Sequence, residues 1–328
     1  MRSAPPTGGG AVDLLLGCGV GRCSGPEVQD GPSRSGKCGA SRIVPRACSR
    51  PAPFAGPVSL PGMATLALLG GGRMGEALVG GLLDAGWDAD ALVVAEVDAE
   101  RRRALEERFP GIRVVPSPAW AVADAEVVVV AVKPADAPGV LEQARPSLAA
   151  DALIISIAAG VRIATLEAAA PGRPVVRAMP NTPAVVRRAA TAIAPGKHAT
   201  DVHLETAERI LGAVGIVVRV PEPHLDAVTG LSGSGPAYVF LVAEALTDAG
   251  VLAGLPRPVA DALTRETLLG AATLLAQGEP PEQLRAAVTS PGGTTAAGLH
   301  VLESHGVRGA ILDAVLAAAA RSRELGEE

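Results

Sequence analysis

The chain has 328 residues, of which 48% are hydrophobic and 2% aromatic, and a formal net charge of −5 at neutral pH. That length holds two domains, each able to bury its own core. Neither the basic stripe nor the stacking aromatics of a nucleic-acid binder is present. The longest apolar runs, such as "LLGAATLLA" and "AILDAVLAAAA", fall short of the roughly 18 residues a bilayer span needs. The expectation is a soluble, cytoplasmic protein with no nucleic-acid or membrane partner.

Residues 1–62 are dominated by Gly, Pro, Ser, Ala and Arg and carry seven basic against three acidic residues. Such a composition cannot bury enough apolar surface to offset the entropy of ordering, so a disordered extension is expected. All four cysteines, Cys18, Cys23, Cys38 and Cys48, lie in this segment. Their spacing fits no paired metal-binding pattern, and no metal is expected. The segment has neither a clear secretory core nor a sustained amphipathic helix. Met63 is followed at once by a strand pattern, so translation could also begin there.

From Met63 onward, short β-rich runs alternate with helical ones. Strands are predicted over 65–70, 91–96, 112–115, 126–132, 152–158, 174–179, 190–195 and 215–220, and helices near 74–85, 98–108, 136–144 and 201–212. This alternation predicts an α/β Rossmann-type domain over 63–225, with a mostly parallel sheet covered by helices on both faces. After about residue 225 the strand signal ends. Helices are predicted over 236–254, 257–278, 280–288, 294–305 and 307–325, giving an all-α domain over 226–328 that is expected to dimerise. Several of these helices are apolar around most of their circumference, more than a domain of about 100 residues can cover. A second subunit would bury them.

The first strand runs into "LLGGGRMGEALVGGL", which places Gly70, Gly72 and Gly75 at dinucleotide-binding spacing with Arg73 and Met74 between them. The first glycine permits the turn, the second lets the backbone approach a pyrophosphate, and the third lets the helix pack on the strand. Glu96 ends the second strand, where an acidic residue binds a ribose diol and so argues for NAD. Arg101 and Arg102 follow closely and argue for a 2′-phosphate, hence NADP. The arginines fit a solvated helix face equally well. "AVKP", residues Ala131, Val132, Lys133 and Pro134, ends the fourth strand at the sheet edge where such folds bind ligands. "SIAAG", with Ala158 and Ala159, and "RAMPNTP", with Asn181, end later strands in the same way. Asn181 could cap its turn or contact the cofactor.

Within the helical half, "VTSPGGTTAAGLHVLESHG" gathers Ser290, Gly292, Gly293, Thr294 and Thr295 just before a helix. Glycines let the main chain approach a ligand, and a helix N-terminus favours an anion.

Taken in order, "LLGGGRMGEALVGGL", "AVKP", "SIAAG", "MPNTP", "LSGSGPAYVF" and "VTSPGGTT" closely resemble pyrroline-5-carboxylate reductases over residues 63–325. The resemblance implies hydride transfer from NADPH or NADH to the C=N bond of 1-pyrroline-5-carboxylate, giving L-proline, with NADPH slightly favoured. It implies that Ser290 and the N–H groups of Gly292, Gly293 and Thr294 hold the substrate carboxylate, and that Thr295 places its hydroxyl near the ring nitrogen. Ser290 and Thr295 are the expected catalytic residues. It also implies a dimer that assembles further, with each site shared between subunits. Ala286 and Ala287 stand where relatives often carry a polar residue, and Pro118 where an asparagine can contact the adenosine side. A β-hydroxyacid dehydrogenase shares the outline but uses a lysine on a helix after the nucleotide domain, and no lysine occurs here beyond Lys197. A dinucleotide-sensing protein without turnover is a further alternative.

Overall fold

The computed structural model describes residues 65–326. The expectations for residues 1–62, including disorder and the fate of the four cysteines, lie outside the described residues.

The fold opens with strand β1 (Leu66–Leu69), helix α1 (Arg73–Asp84), β2 (Leu92–Ala95), α2 (Ala99–Arg108), β3 (Arg113–Val115) and the short α3 (Pro118–Val122). It continues with β4 (Val127–Val130), α4 (Ala137–Ala144), β5 (Leu153–Ser156), α5 (Ile163–Ala169), β6 (Val175–Met179), β7 (Ala189–Pro195), α6 (Asp201–Gly212) and β8 (Gly215–Arg219). All eight strands join one sheet in the order β3-β2-β1-β4-β5-β6-β7-β8. Every pairing is parallel except β6 with β7.

Alternation along the strands explains why the interior ones read as unbroken apolar runs. Ala67, Leu69, Val128 and Val130 face a core closed by α3, α4 and α5. Leu66, Leu68, Val127 and Val129 face the opposite core, closed by α1, α2 and α6. A parallel strand buried on both faces has no polar side, so its sequence loses the two-residue period of a half-exposed strand. The strand order reverses between β1 and its neighbours β2 and β4, which leaves a crevice at their carboxyl ends.

The helical half departs from expectation at its start. A short α7 (Leu225–Val228) passes without a break through a π-type turn over Thr229–Gly233 into α8 (Gly235–Leu252). The segment "TGLSGSG" reads as a loop, yet it stays helical. The helical run Glu222–Leu252 is long and apolar enough, by length and composition, to cross a membrane, which the reading of separate apolar runs did not anticipate. It is followed by α9 (Arg257–Leu275), α10 (Pro281–Ala287), α11 (Thr294–Ser304) and α12 (Val307–Leu325). α12 packs back against α7 and the π-type turn so closely that a Cβ on Gly230 would lie 2.5 Å from the Val315 carbonyl oxygen. The Ser322 hydroxyl fixes the far end of α12 by donating to Asp226 at 2.7 Å.

Candidate functional site

The glycine loop leaves β1 at the crevice, and the space around each glycine shows what it is for. Gly70 has φ +110°, and a Cβ there would lie 2.7 Å from the Ala131 carbonyl oxygen. Only glycine combines that backbone conformation with that approach. A Cβ on Gly75 would strike the Gly70 carbonyl oxygen, so α1 also sits tightly over the strand. Gly72 is the N-cap of α1, and a Cβ there would meet no protein atom within 4 Å. The first turn of α1 therefore opens onto free space with no side chain capping it, as a pyrophosphate requires. Residues 70–75 fit a dinucleotide.

Ala131 donates its N–H to the Leu69 carbonyl at 2.8 Å, which brings the end of β4 against the glycine loop. Val132 follows, half-buried, and Lys133 and Pro134 stand exposed where the chain turns into a short 3₁₀ segment. Ala158 is buried and Ala159 exposed beyond β5, the next strand along. The two "SIAAG" alanines and the "AVKP" residues thus end neighbouring strands at one edge of the sheet.

Glu96 lies just beyond β2 and turns back over the glycine loop. One carboxylate oxygen accepts the Gly71 N–H at 3.0 Å and the other accepts the Asp98 N–H at 3.0 Å. Arg101 donates to the Gly71 carbonyl at 2.8 Å and pairs with Glu76, which also pairs with Arg108. Arg102 donates to the carbonyls of Glu96 and Val97 at 3.0 and 2.8 Å. The roles of Gly71 and Glu76 were not legible in the sequence, because their partners lie 25 or more positions away.

Asn181 sits at a junction. Buried after β6, it accepts the Ala190 N–H at 2.9 Å and donates to the Ser232 carbonyl in the π-type turn at 2.9 Å. A Cβ on Gly233 would lie 2.6 Å from the Met179 methyl, so strand end and turn are in close contact. The amide therefore ties the sheet to the start of the helical half. Close by, the buried Arg177 pairs with Glu222 at 3.0 Å, and Glu222 also accepts the Ile163 N–H at 2.7 Å. Neither residue stood out in the sequence.

The "SPGGTT" segment links α10 to α11. The Gly293 N–H donates to the Ser290 carbonyl at 3.0 Å, Pro291 holds the second position of the turn, and Gly292 has φ +70°. Proline followed by a residue with positive φ makes this a turn of the type II class. Gly293 is the N-cap of α11 and has no side chain with which to cap it. A Cβ on Gly293 would lie 2.4 Å from the Ser290 hydroxyl oxygen, so the hydroxyl sits close against the start of α11. A serine hydroxyl and the uncapped first turn of α11, which holds Thr294 and Thr295, thus converge on one point. Ser290 and Thr294 are exposed and Thr295 half-buried.

The helices that carry this loop are poorly covered within one chain. Phe240 and Leu241 of α8 are 62% and 65% exposed, and Leu269 of α9 and Leu316 of α12 are 62% and 66% exposed.

Residues 222–325 match the family model for pyrroline-5-carboxylate reductase dimerisation, and residues 65–160 match that for NADP oxidoreductase, coenzyme F420-dependent. The chain is 46% identical over 268 residues to pyrroline-5-carboxylate reductase of a Synechocystis species, covering 80% of this chain and 98% of the relative. The Mycobacterium tuberculosis enzyme of that name is also 46% identical, over 289 residues, with 80% and 97% covered. Among solved structures, a pyrroline-5-carboxylate reductase from Coxiella burnetii superposes with a TM-score of 0.76 at 36% identity, covering 80% of this chain and 98% of that one. The Plasmodium falciparum pyrroline carboxylate reductase with NADP bound gives 0.71 at 31% identity, with the same coverage. A Rossmann-like sheet followed by helices of the dimerisation type, with likeness along four-fifths of its length, places the chain in the pyrroline-5-carboxylate reductase family of NAD(P)H-dependent oxidoreductases.

Proposed function

We propose that the chain reduces the C=N bond of 1-pyrroline-5-carboxylate, with residues 63–225 holding the nucleotide and residues 226–328 holding the substrate and a second subunit. The observation that carries this reading is the turn at Ser290–Gly293, which sets a hydroxyl beside an uncapped helix N-terminus. An α-carboxylate fits there, because the first N–H groups of a helix lack intrahelical acceptors and carry partial positive charge. Ser290 and the N–H groups of Gly292, Gly293 and Thr294 hold the carboxylate. Thr295, one position into the helix, presents its hydroxyl to the ring nitrogen.

When bound, the reduced nicotinamide supplies the hydride that C5 receives; the ring nitrogen ends with the proton and the product is L-proline. A protonated imine already polarises its own C=N bond. The protein's part is then to orient the ring and exclude water rather than to supply a strong acid. Gly70, Gly72, Arg73, Met74 and Gly75 cradle the pyrophosphate and Glu96 the ribose. Ala131, Val132, Lys133, Pro134, Ala158 and Ala159 line the path toward the nicotinamide. Asn181 contributes by tying the end of β6 to the π-type turn of the helical half. The exposed apolar faces of α8, α9 and α12 are covered by a second copy of the chain, which accounts for the apolar run Glu222–Leu252 without a bilayer. The setting proposed is the cytoplasm, with no nucleic-acid partner.

Purified protein mixed with 1-pyrroline-5-carboxylate and each reduced cofactor tests this, followed at the nicotinamide absorbance. Substrate-dependent oxidation with proline as product is expected. Absence of turnover with both cofactors would overturn the reading.

A further inference from the structure

We propose that Glu96 makes this chain select NADH over NADPH. The inference rests on the dinucleotide reading of the β1–β4 crevice and concerns only its adenosine end. Two backbone donors, the N–H groups of Gly71 and Asp98, each meet a different oxygen of the Glu96 carboxylate at 3.0 Å. Only a group that accepts at both oxygens satisfies both donors. An amide in its place would turn an NH₂ toward one of them.

This locks the carboxylate over the glycine loop, against the backbone that a dinucleotide must cross. An ionised carboxylate offers about four acceptor directions, and the two backbone donors use two. The remaining two suit a pair of hydroxyl donors, which is what an unmodified ribose diol presents. A 2′-phosphate brings no donor at neutral pH and about −1.5 to −2 charges, set against a carboxylate that cannot swing away without leaving two N–H groups unmet.

The arginines that would argue for NADPH have other work. The Asp98 carboxylate accepts the Arg101 N–H at 2.8 Å and starts α2. From that position the Arg101 guanidinium reaches the Gly71 carbonyl and Glu76. Arg102 clamps the Glu96 and Val97 carbonyls. Both guanidiniums brace the turn that presents Glu96. Each guanidinium commits part of its five donors to these backbone and carboxylate acceptors, which holds it against the glycine loop and the turn after β2.

The test uses fragments that carry the difference without the reacting ring. Calorimetric titration of the full chain with ADP and with 2′,5′-ADP is expected to show ADP binding at least about tenfold more tightly, matched by a similar preference for NADH over NADPH in kcat/KM. Glu96→Ser, with Glu96→Gln as a second variant, is expected to narrow the ratio at least about fivefold, chiefly by strengthening 2′,5′-ADP binding. Unchanged circular dichroism would show that the sheet survives. Tighter or equal binding of 2′,5′-ADP by the unaltered chain overturns the proposal, as does failure of both fragments to bind. A ratio unmoved in both folded variants does so too. Because the fragments contain no nicotinamide, their ratio stands even if the imine proves not to be the substrate.

Discussion

The two halves of the chain bury their apolar residues in opposite ways. In the sheet half, Leu66, Leu68, Leu69, Ile154 and Ile155 are fully enclosed between helices of the same chain. In the helical half, the only buried residues of α8 and α9 are Thr247, Ala260 and Thr264, while Phe240, Leu263 and Leu269 lie more than half exposed. Both halves are rich in Leu, Val and Ala, so composition does not separate them. What differs is where the covering surface comes from. The sheet is completed by its own crossover helices, whereas the helices need another chain. The crevice beside the glycine loop is thus finished by local folding, and the Ser290–Gly293 turn is carried on elements finished by assembly.

The strongest way to break that contrast is to place charge on the uncovered faces. Phe240→Asp combined with Leu269→Asp would bury two unpaired carboxylates in the subunit contact, each costing several kcal/mol in such a setting. The expected result is a monomer by light scattering at micromolar concentration, with reductase activity lowered by at least about 100-fold and ADP binding retained. An unaltered dimer with full activity would show that these faces are not the contact.

A second comparison uses one change in each half. Leu68→Ala empties a fully buried site and is expected to cost about 2–5 kcal/mol at any protein concentration. Leu269→Ala removes a side chain that is exposed within its own chain, so its cost should appear only through dissociation and should fall as concentration rises. Chemical denaturation at two protein concentrations separates these behaviours.

The sheet half was also the more legible in the sequence, for the same physical reason. Its interior strands must be apolar on both faces, and all eight were readable as short apolar runs between helical stretches, with the turn after β1 marked by glycine spacing. The short helices α3 and α5, of five and seven residues, were not expected from the sequence. The π-type turn escaped because Gly and Ser in "TGLSGSG" signal a loop, whereas the segment packs as a helix against α12 and its neighbouring helices. Glu96 and Arg101 were both visible as candidates. The choice between them depended on Gly71 and Glu76, which no local pattern brings near. At the substrate loop, residue types suggested an anion, while the Ser290 hydroxyl set against Gly293 became visible only in three dimensions.

Thr295 tests whether the loop on the helical half does chemistry or only caps a helix. Thr295→Ala is expected to lower kcat/KM for the imine by about 10- to 1000-fold, or about 1.4–4 kcal/mol, as for loss of one positioned polar contact in a water-poor site. Thr295→Ser should keep most of the activity, because it retains the hydroxyl and drops only a methyl group. ADP affinity should not move. A folded Thr295→Ala protein with ordinary turnover would reduce the residue to a helix-starting role.

The smallest expected effect concerns the ion pairs that staple α11 in place. Glu303, in the last turn of α11, pairs with Arg308 at 2.6 Å on α12 and with Arg285 at 3.8 Å on α10, so it links the three helices around the loop. The hydrogen bond and charge of Arg308 hold the Glu303 carboxyl below its usual range, with Arg285 adding to the effect. A lowered folded-state pKa stabilises the fold above the ordinary carboxylate pKa, and that contribution is lost as pH falls through the lowered value. The pair is exposed and screened by salt, so its contribution is slight. Arg308→Ala is therefore expected to shift the melting temperature at neutral pH by no more than about 1–2 °C, and the shift should vanish in acid or at high ionic strength. A larger, salt-insensitive shift would mean that assembly buries Glu303 and Arg308, and would extend the subunit contact from α8 and α9 to the end of α11.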